Sequence, residues 1–179
     1  TYYPIVFCDI MGLEEDRGHG ENAEDIKLIL KHVKENYKFN PASPLSSDDP
    51  YYNPDPSLED RVHVLVCVLS ANMVDIKAYP LDKIKDIREA ASDLGIPQVA
   101  ILTVDEACSH TQKDLKDVYR SKHLKKKMEE FSVATGIPVN CTFPVKNYSE
   151  EIDLDDNINA LVLSALGIMV QFGDDFIEK

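Results

Sequence analysis

Four short polar segments carry the residues whose types and spacing could do chemistry. Residues 3–8 are apolar and run directly into Asp9-Ile10-Met11-Gly12. An acid at the end of a strand holds a divalent cation, usually through water, and a glycine three residues later lets its backbone N–H approach a phosphate closely. Residues 99–102 lead in the same way into Thr103-Val104-Asp105, where a carboxylate can accept hydrogen bonds from N–H donors. Ser70-Ala71-Asn72 and Lys146-Asn147-Tyr148-Ser149 follow two further apolar runs. In open parallel sheets ligands bind beyond the carboxyl ends of the strands. Four such segments in register therefore describe a rim. Each alone is weak, because Asp9 and Gly12 also suit a plain turn and Asp105 a helix N-cap.

Those segments need a scaffold, and strand-like and helix-like patterns alternate along the chain. Strands are expected at 3–8, 62–69, 99–103 and 139–145, with Pro144 fraying the last. The run 62–69, VHVLVCVL, is apolar and rich in Val, as in a strand covered on both faces. Helical spacing of Ile26, Ile29, Leu30, Val33 and Tyr37 predicts a helix over 21–37, with Asn22 and Asp25 as a capping pair. A second helix, 81–94, faces its core with Ile84, Ile87, Ala91 and Leu94 and is closed by Gly95 and Pro97. A third, 111–135, carries Leu115, Val118, Leu124, Met128 and Phe131, with a kink near Ser121 and a stop at Gly136. The last, 156–176, buries Ile158, Leu161, Val162, Ala165, Leu166 and Met169. Residues 39–58, rich in Pro, Ser, Asp and Asn, form a long irregular loop. The expected fold is α/β, one domain over 1–179 with a doubly wound, mainly parallel sheet.

Composition narrows the partners. The net charge is -13 over 179 residues, so DNA, RNA and anionic membrane surfaces are repelled over much of the surface. Small phosphorylated ligands remain compatible, because local backbone N–H groups and a metal ion bind anions on an acidic protein. No run approaches roughly 18 consecutive apolar residues, and no membrane span is expected. The chain opens Thr1-Tyr2-Tyr3-Pro4, without Met or a secretory leader, and is expected to be a piece of a longer protein. Cys8, Cys67, Cys108 and Cys141 form no C-x-x-C pair and are expected as buried, reduced thiols. The five histidines show no ligand spacing, so no zinc site is expected.

An apolar strand running into D-x-x-G is the metal and γ-phosphate pattern of P-loop GTPases, which read guanine with [N/T]-K-x-D after a later strand. Thr103 and Asp105 fit that second pattern, although the Lys is absent and the spacing is one residue short. With these residues in place, the chain resembles the C-terminal GTPase-like region of the interferon-induced protein 44 and 44-like family. The resemblance is carried by Cys8-Asp9-Ile10-Met11-Gly12-Leu13, Tyr37-Lys38-Phe39-Asn40-Pro41, and Pro56-Ser57-Leu58-Glu59-Asp60-Arg61-Val62-His63. It continues through Val99-Ala100-Ile101-Leu102-Thr103, Asn147-Tyr148-Ser149, Leu161-Val162-Leu163-Ser164-Ala165-Leu166 and Asp174-Asp175-Phe176.

The resemblance implies a cytoplasmic, interferon-inducible protein of antiviral or immune responses, with a domain that binds GTP or GDP and Mg²⁺. Asp9 would be the indirect Mg²⁺ ligand and Gly12 the γ-phosphate amide. Asp105 would read the base with Thr103 in support, and Asn147 and Tyr148 would lie beside it. Leu13 stands where many small GTPases place a water-orienting Gln, so hydrolysis should be slow or partner-dependent, and Glu14, Glu15 and Asp16 are more simply a solvated acidic turn. Proteins like this carry a Gly-rich phosphate loop upstream, whereas this chain has no G-x-x-x-x-G-K-[ST]. In GTPase topology the strand bearing that loop lies between 3–8 and 62–69. Its absence would leave a slot about 4.8 Å from each neighbour, lined by backbone groups that cost about 1–3 kcal/mol each when unsatisfied. A segment from elsewhere is expected to fill it. The rival expectation is a nucleotide-independent interaction module with a degenerate site, meeting a protein partner or forming a homodimer through loop 39–58. A phosphoacceptor domain using Asp9, Thr103 and Lys146 lacks the acidic pair it requires.

Overall fold

The computed structural model describes residues 5–10, 23–34, 37–38, 45–71, 81–104, 121–149 and 151–179. These form helix α1 (Ala23–His32), strand β1 (Leu65–Ser70), helix α2 (Leu81–Asp93), strand β2 (Gln98–Thr103), helix α3 (Lys122–Thr135), strand β3 (Thr142–Val145) and helix α4 (Asp156–Ile177). The architecture is α/β with a three-stranded parallel sheet in the order β1-β2-β3. The chain divides into two compact units: Thr1–His63, Tyr79–Pro97 and Gly173–Lys179 form the first, and Val64–Ala78 with Gln98–Phe172 form the second.

The second unit contains the sheet. Successive side chains on a strand point to opposite faces, and β2 shows it. Ala100 and Leu102, followed by Val104, join Leu124, Met128 and Phe131 of α3 on one face, together with Cys67, Leu69 and Ala71. Val99 and Ile101 join Ala165, Met169 and Phe172 of α4 on the other, together with Val64, Val66, Phe143 and Val145. β1 begins three residues later than its apolar run and is not covered throughout, since Val68 is 57% exposed. β3 is shortened because Val139–Cys141 form a 3-10 turn ahead of it. Pro144 does not fray β3. It is fully buried, and the strand continues to Val145, whose carbonyl accepts from Val104 N–H at 2.8 Å. Pro is tolerated there because β3 has its ladder partner, β2, on one side among the described residues.

The expected helical stretch 111–120, with Leu115 and Val118, lies outside the described residues, and the described helix is led by Ser121. Its backbone is extended and its hydroxyl accepts from Leu124 N–H, so it is the N-cap of α3. Gly136, at φ 77°, ends the helix as expected. In α4, Ile158, Leu161, Ala165 and Met169 are buried, but Val162 is exposed and Leu166 only half-buried. By length and composition α4 is also apolar enough to cross a membrane. Asn157, Asn159, Ser164 and Gln171 break its apolar run without adding charge, so its apolarity is spread along the helix rather than continuous. One stripe of it, with Ala165 and Met169, packs on the sheet, while 28% of its apolar window is buried.

In the first unit α1 packs against α2. Residues 5–8 are not a strand. Val6, Phe7 and Cys8 are exposed, and 5–10 join no ladder among the described residues, which is the physical reason the expected strand does not form. α1 stops at His32 because Val33 forms an antiparallel bridge with Tyr52. That bridge belongs to a dense set of bonds by which loop 45–62 closes the helix. Asn53 N–H donates to the His32 carbonyl at 2.7 Å and Val62 N–H to the Leu30 carbonyl at 3.4 Å. The His32 ring stacks on Tyr52, and its Nδ1 carries the proton toward the Asn53 carbonyl at 2.9 Å. The described part of the long loop is thus a C-terminal cap for α1, and Tyr52 is engaged rather than presented.

α2 ends in a Schellman motif: Ile96 N–H reaches the Ala91 carbonyl and Gly95 N–H the Ser92 carbonyl, both at 2.9 Å, with Gly95 at φ 70°. A Cβ at Gly95 would meet Phe176 at 3.9 Å, an ordinary contact, so its cost is conformational. Gly95→Ala is expected to lower stability by about 1 kcal/mol, measured as a shift in the urea midpoint at unchanged slope.

Candidate functional site

Parallel pairing brings three strand ends to one edge of the second unit. Ser70 stands opposite Thr103, and Thr103 opposite Val145, in a continuous register. Three of the four expected rim segments therefore supply Ser70, Thr103 and the 146–149 turn side by side, with Asn72 and Asp105 outside the described residues. The Thr103 hydroxyl donates across the sheet to the Leu69 carbonyl at 3.3 Å, tying the ends of β1 and β2 together. Its oxygen keeps lone-pair capacity to accept a further bond.

The turn after β3 is built by three acceptors. Glu151 forms an ion pair with Lys146 through one carboxylate oxygen and accepts Ser149 N–H on the other at 2.9 Å. Tyr148 has one hydroxyl proton, shared between Asn159 Oδ1 at 2.9 Å and the Asp155 carbonyl at 3.1 Å, and its oxygen accepts Asp155 N–H at 2.9 Å. Asp155 in turn caps α4: its Oδ1 accepts Asn157 N–H at 2.7 Å and Ile158 N–H at 3.1 Å. The turn is thereby anchored to the start of the helix that packs under the sheet. Tyr148 keeps its ring face partly open, and Asn147 is exposed. A part-exposed aromatic ring and an exposed amide on this turn are groups that can meet the face and edge of a planar ring.

Asp9 lies in the first unit and is exposed, while Gly12, Leu13 and the 14–16 acids lie outside the described residues. Cys8 is exposed, contrary to the expectation of buried thiols, and Cys67 and Cys141 are half-buried; Cys108 is outside the described residues. Although Cys8 is open by area, desolvation by its neighbours, and then the Asp9 carboxylate, pushes its thiol above the ordinary range. Such a thiol is a poor nucleophile at neutral pH. Among the described residues no group of three His, Cys, Asp or Glu is assembled for a metal.

Residues that sequence reasoning passed over are Glu151, Asp155 and Asn159. An Asp immediately before a helical pattern was a readable N-cap signal for Asp155. The reach of Tyr148 and Glu151 had none, because it depends on how the turn folds back. Conversely, the most distinctive phrase, 56–63, is a clamp. Ser57 donates its N–H and hydroxyl to Asp60 Oδ2 at 3.0 and 2.8 Å, Arg61 donates to the Pro56 carbonyl at 3.2 Å, and His63 to the Leu58 carbonyl at 3.0 Å. Those Ser57 bonds hold the Asp60 carboxyl below its usual range. Phe176, buried, lies 6.1 Å from the His63 ring. Both phrases are explained by structure rather than by ligand chemistry.

No family model and no solved structure matches the chain. Curated proteins do. The sequence is 33% identical over 178 residues, 98% of the chain, to interferon-induced protein 44-like of Homo sapiens. It is 35% identical over 180 residues to interferon-induced protein 44 of Homo sapiens, and 35% over 178 residues to that of Mus musculus. The chain spans 39%, 40% and 42% of those relatives' lengths. Identity of 33–35% over 98–99% of the chain reflects shared ancestry rather than a shared motif, and the chain belongs to the interferon-induced protein 44 and 44-like family.

Proposed function

We propose that this chain is the metal-side and base-side part of a P-loop GTPase-like domain in a cytoplasmic, interferon-induced protein of the immune response. The observation that carries the reading is the rim itself: Thr103 and the anchored 146–149 turn stand together at the carboxyl ends of parallel strands, where such sheets bind nucleotides. The names of the relatives support the interferon-induced, immune setting. Tyr148 and Asn147 would flank a guanine base, with Thr103 and Asp105 toward its edge. Asp9, exposed, fits an outer-sphere role toward Mg²⁺, in which phosphates and water supply the other ligands. Gly12 would contribute its amide to the γ-phosphate, and the phosphate loop would come from a segment outside this chain. Hydrolysis is weak or partner-dependent, because Leu13 cannot orient water.

The test is binding of a fluorescent GTP analogue to the full-length polypeptide, with and without Mg²⁺. Asp9→Ala is expected to abolish the Mg²⁺ dependence while leaving the fold intact by circular dichroism. An intact protein with no Mg²⁺-dependent affinity removes the nucleotide reading. It would leave the second, a nucleotide-independent interaction module. That reading is favoured by the missing Lys in Thr103-Val104-Asp105 and by the internal use of Lys146 and the Tyr148 hydroxyl.

A further inference from the structure

Two surfaces of the second unit are complementary in charge and carry aliphatic side chains where water should meet polar ones. The first is the turn before α4. Five of the seven residues 150–156 are acidic, and the two that are not, Ile152 and Leu154, are 99% and 81% exposed. The carboxylates of Glu151 and Asp155 are held internally, on Lys146 and the α4 cap. Asp153 and Asp156 lie exposed beside the two aliphatic side chains. An isolated exposed Leu is unremarkable. Two nearly bare aliphatic residues alternating with acids on an anchored turn form a small amphipathic knob.

The second surface is the outer face of α3. Lys122, Lys125 and Lys126 stand at the start of α3, in a chain whose net charge is -13. Lys122, Lys126, Glu129 and Val133 follow one another at helical spacing on one face, and Val133 is 87% exposed. Lys125 and Lys126 pair with Glu129 and Glu130 at 3.8 and 3.5 Å, but with their side chains about three-quarters exposed, so these bonds are weak and exchangeable. The face thus offers cations at one end and an aliphatic contact at the other, the counterpart of the acidic knob.

We propose that the acidic–aliphatic knob, Ile152 and Leu154 with Asp153, docks on the Lys122–Lys126–Val133 face of α3 in a second copy of this chain. The occupant is chosen by charge. On a strongly acidic chain two copies repel over most of their surface, and the basic face of α3 offers the complementary patch. Both patches belong to one compact unit, so each copy carries both halves, and a two-fold arrangement uses each twice. The patches are small, so the association is weak.

Sedimentation velocity over a concentration series of the full chain tests this. The weight-average sedimentation coefficient is expected to rise with concentration. Lys126→Glu alone and Asp153→Lys alone are each expected to remove most of the association, and an equimolar mixture of the two to restore it, because the mixed pair recovers opposite charges at one contact and keeps the original pair at the other. Ile152→Ser/Leu154→Ser is expected to remove it with melting temperature unchanged, since both side chains are in water. A chain that stays monomeric throughout, an association indifferent to these substitutions, or a mixture that fails to re-associate overturns the proposal, and association with an unrelated basic protein that spares wild-type self-mixing does the same.

Discussion

Replacing Phe131 with alanine is expected to lower the unfolding free energy by about 3–5 kcal/mol, the largest loss from a single change in the second unit. Phe131 is almost completely buried on the inner face of α3, in the cluster with Leu124, Ile137, Ala100, Leu102 and Val104. The ring is the largest of the fully buried side chains. Removing it takes away its transfer free energy and leaves a cavity that the small, tightly held neighbours Ala71 and Ala100 cannot fill. Its surroundings are also bonded in place: the Thr135 hydroxyl donates to the Phe131 carbonyl at 2.9 Å and accepts Ile137 N–H at 3.2 Å. Collapse onto the void would have to break that turn. Val133, two residues along and 87% exposed, is the control, and Val133→Ala should stay within about 0.5 kcal/mol. Equilibrium urea unfolding of both variants decides the matter. A Phe131→Ala loss near 1 kcal/mol would mean that α3 does not form the cover of this sheet face.

The contrast between those two neighbours shows what could be read in the sequence. Leu124, Met128 and Phe131 announce the inner face of α3 by spacing alone, and β2 by its run of apolar residues. Gly95 and Gly136 mark where helices end, because a left-handed residue there nearly requires glycine. Elements that depend on distant partners were less legible. Residues 5–8 have the composition of a strand, yet a strand exists through its ladder, and composition does not report a neighbour. Val68 lies in an apolar run but emerges into solvent, since burial of a strand face depends on whether a helix lies over it. Val33 looked like a further turn of helix, and a bridge to Tyr52, nineteen positions on, redirected it.

The candidate site divides in the same way. That Thr103 and the 146–149 turn adjoin followed from the alternation of strands and helices, which makes parallel neighbours and aligns their carboxyl ends. The state of Tyr148 did not follow. A tyrosine at a rim reads as a ligand-facing group, whereas its hydroxyl is committed to Asp155 and Asn159. What remains for a ligand is the ring. This sharpens the nucleotide reading, because stacking needs a ring held at a fixed angle and the hydroxyl bonds supply that constraint.

That constraint has an origin that can be removed. Asp155→Ala is expected to cost about 2 kcal/mol, at the upper end for an N-cap, because Oδ1 accepts two N–H groups at the start of a 22-residue helix and its charge favours that end of the helix dipole. Asp155→Asn keeps the acceptor and loses the charge, so it should retain most of the stability, with a loss of about 0.5 kcal/mol that shrinks as salt is raised. The backbone of residue 155 also holds Tyr148, through its N–H and its carbonyl. When the cap is lost and the first turn of α4 frays, those two groups move and the Tyr148 hydroxyl loses its anchors. Amide exchange at 147–149 should therefore accelerate in Asp155→Ala and not in Asp155→Asn, although neither change touches the turn itself. If the rim binds a base, analogue affinity should fall in step with that exchange rate while its Mg²⁺ dependence, assigned to Asp9 in the proposed function, is preserved. Faster exchange with unaltered affinity would show that the turn is built for the stability of α4 and takes no part in ligand contact.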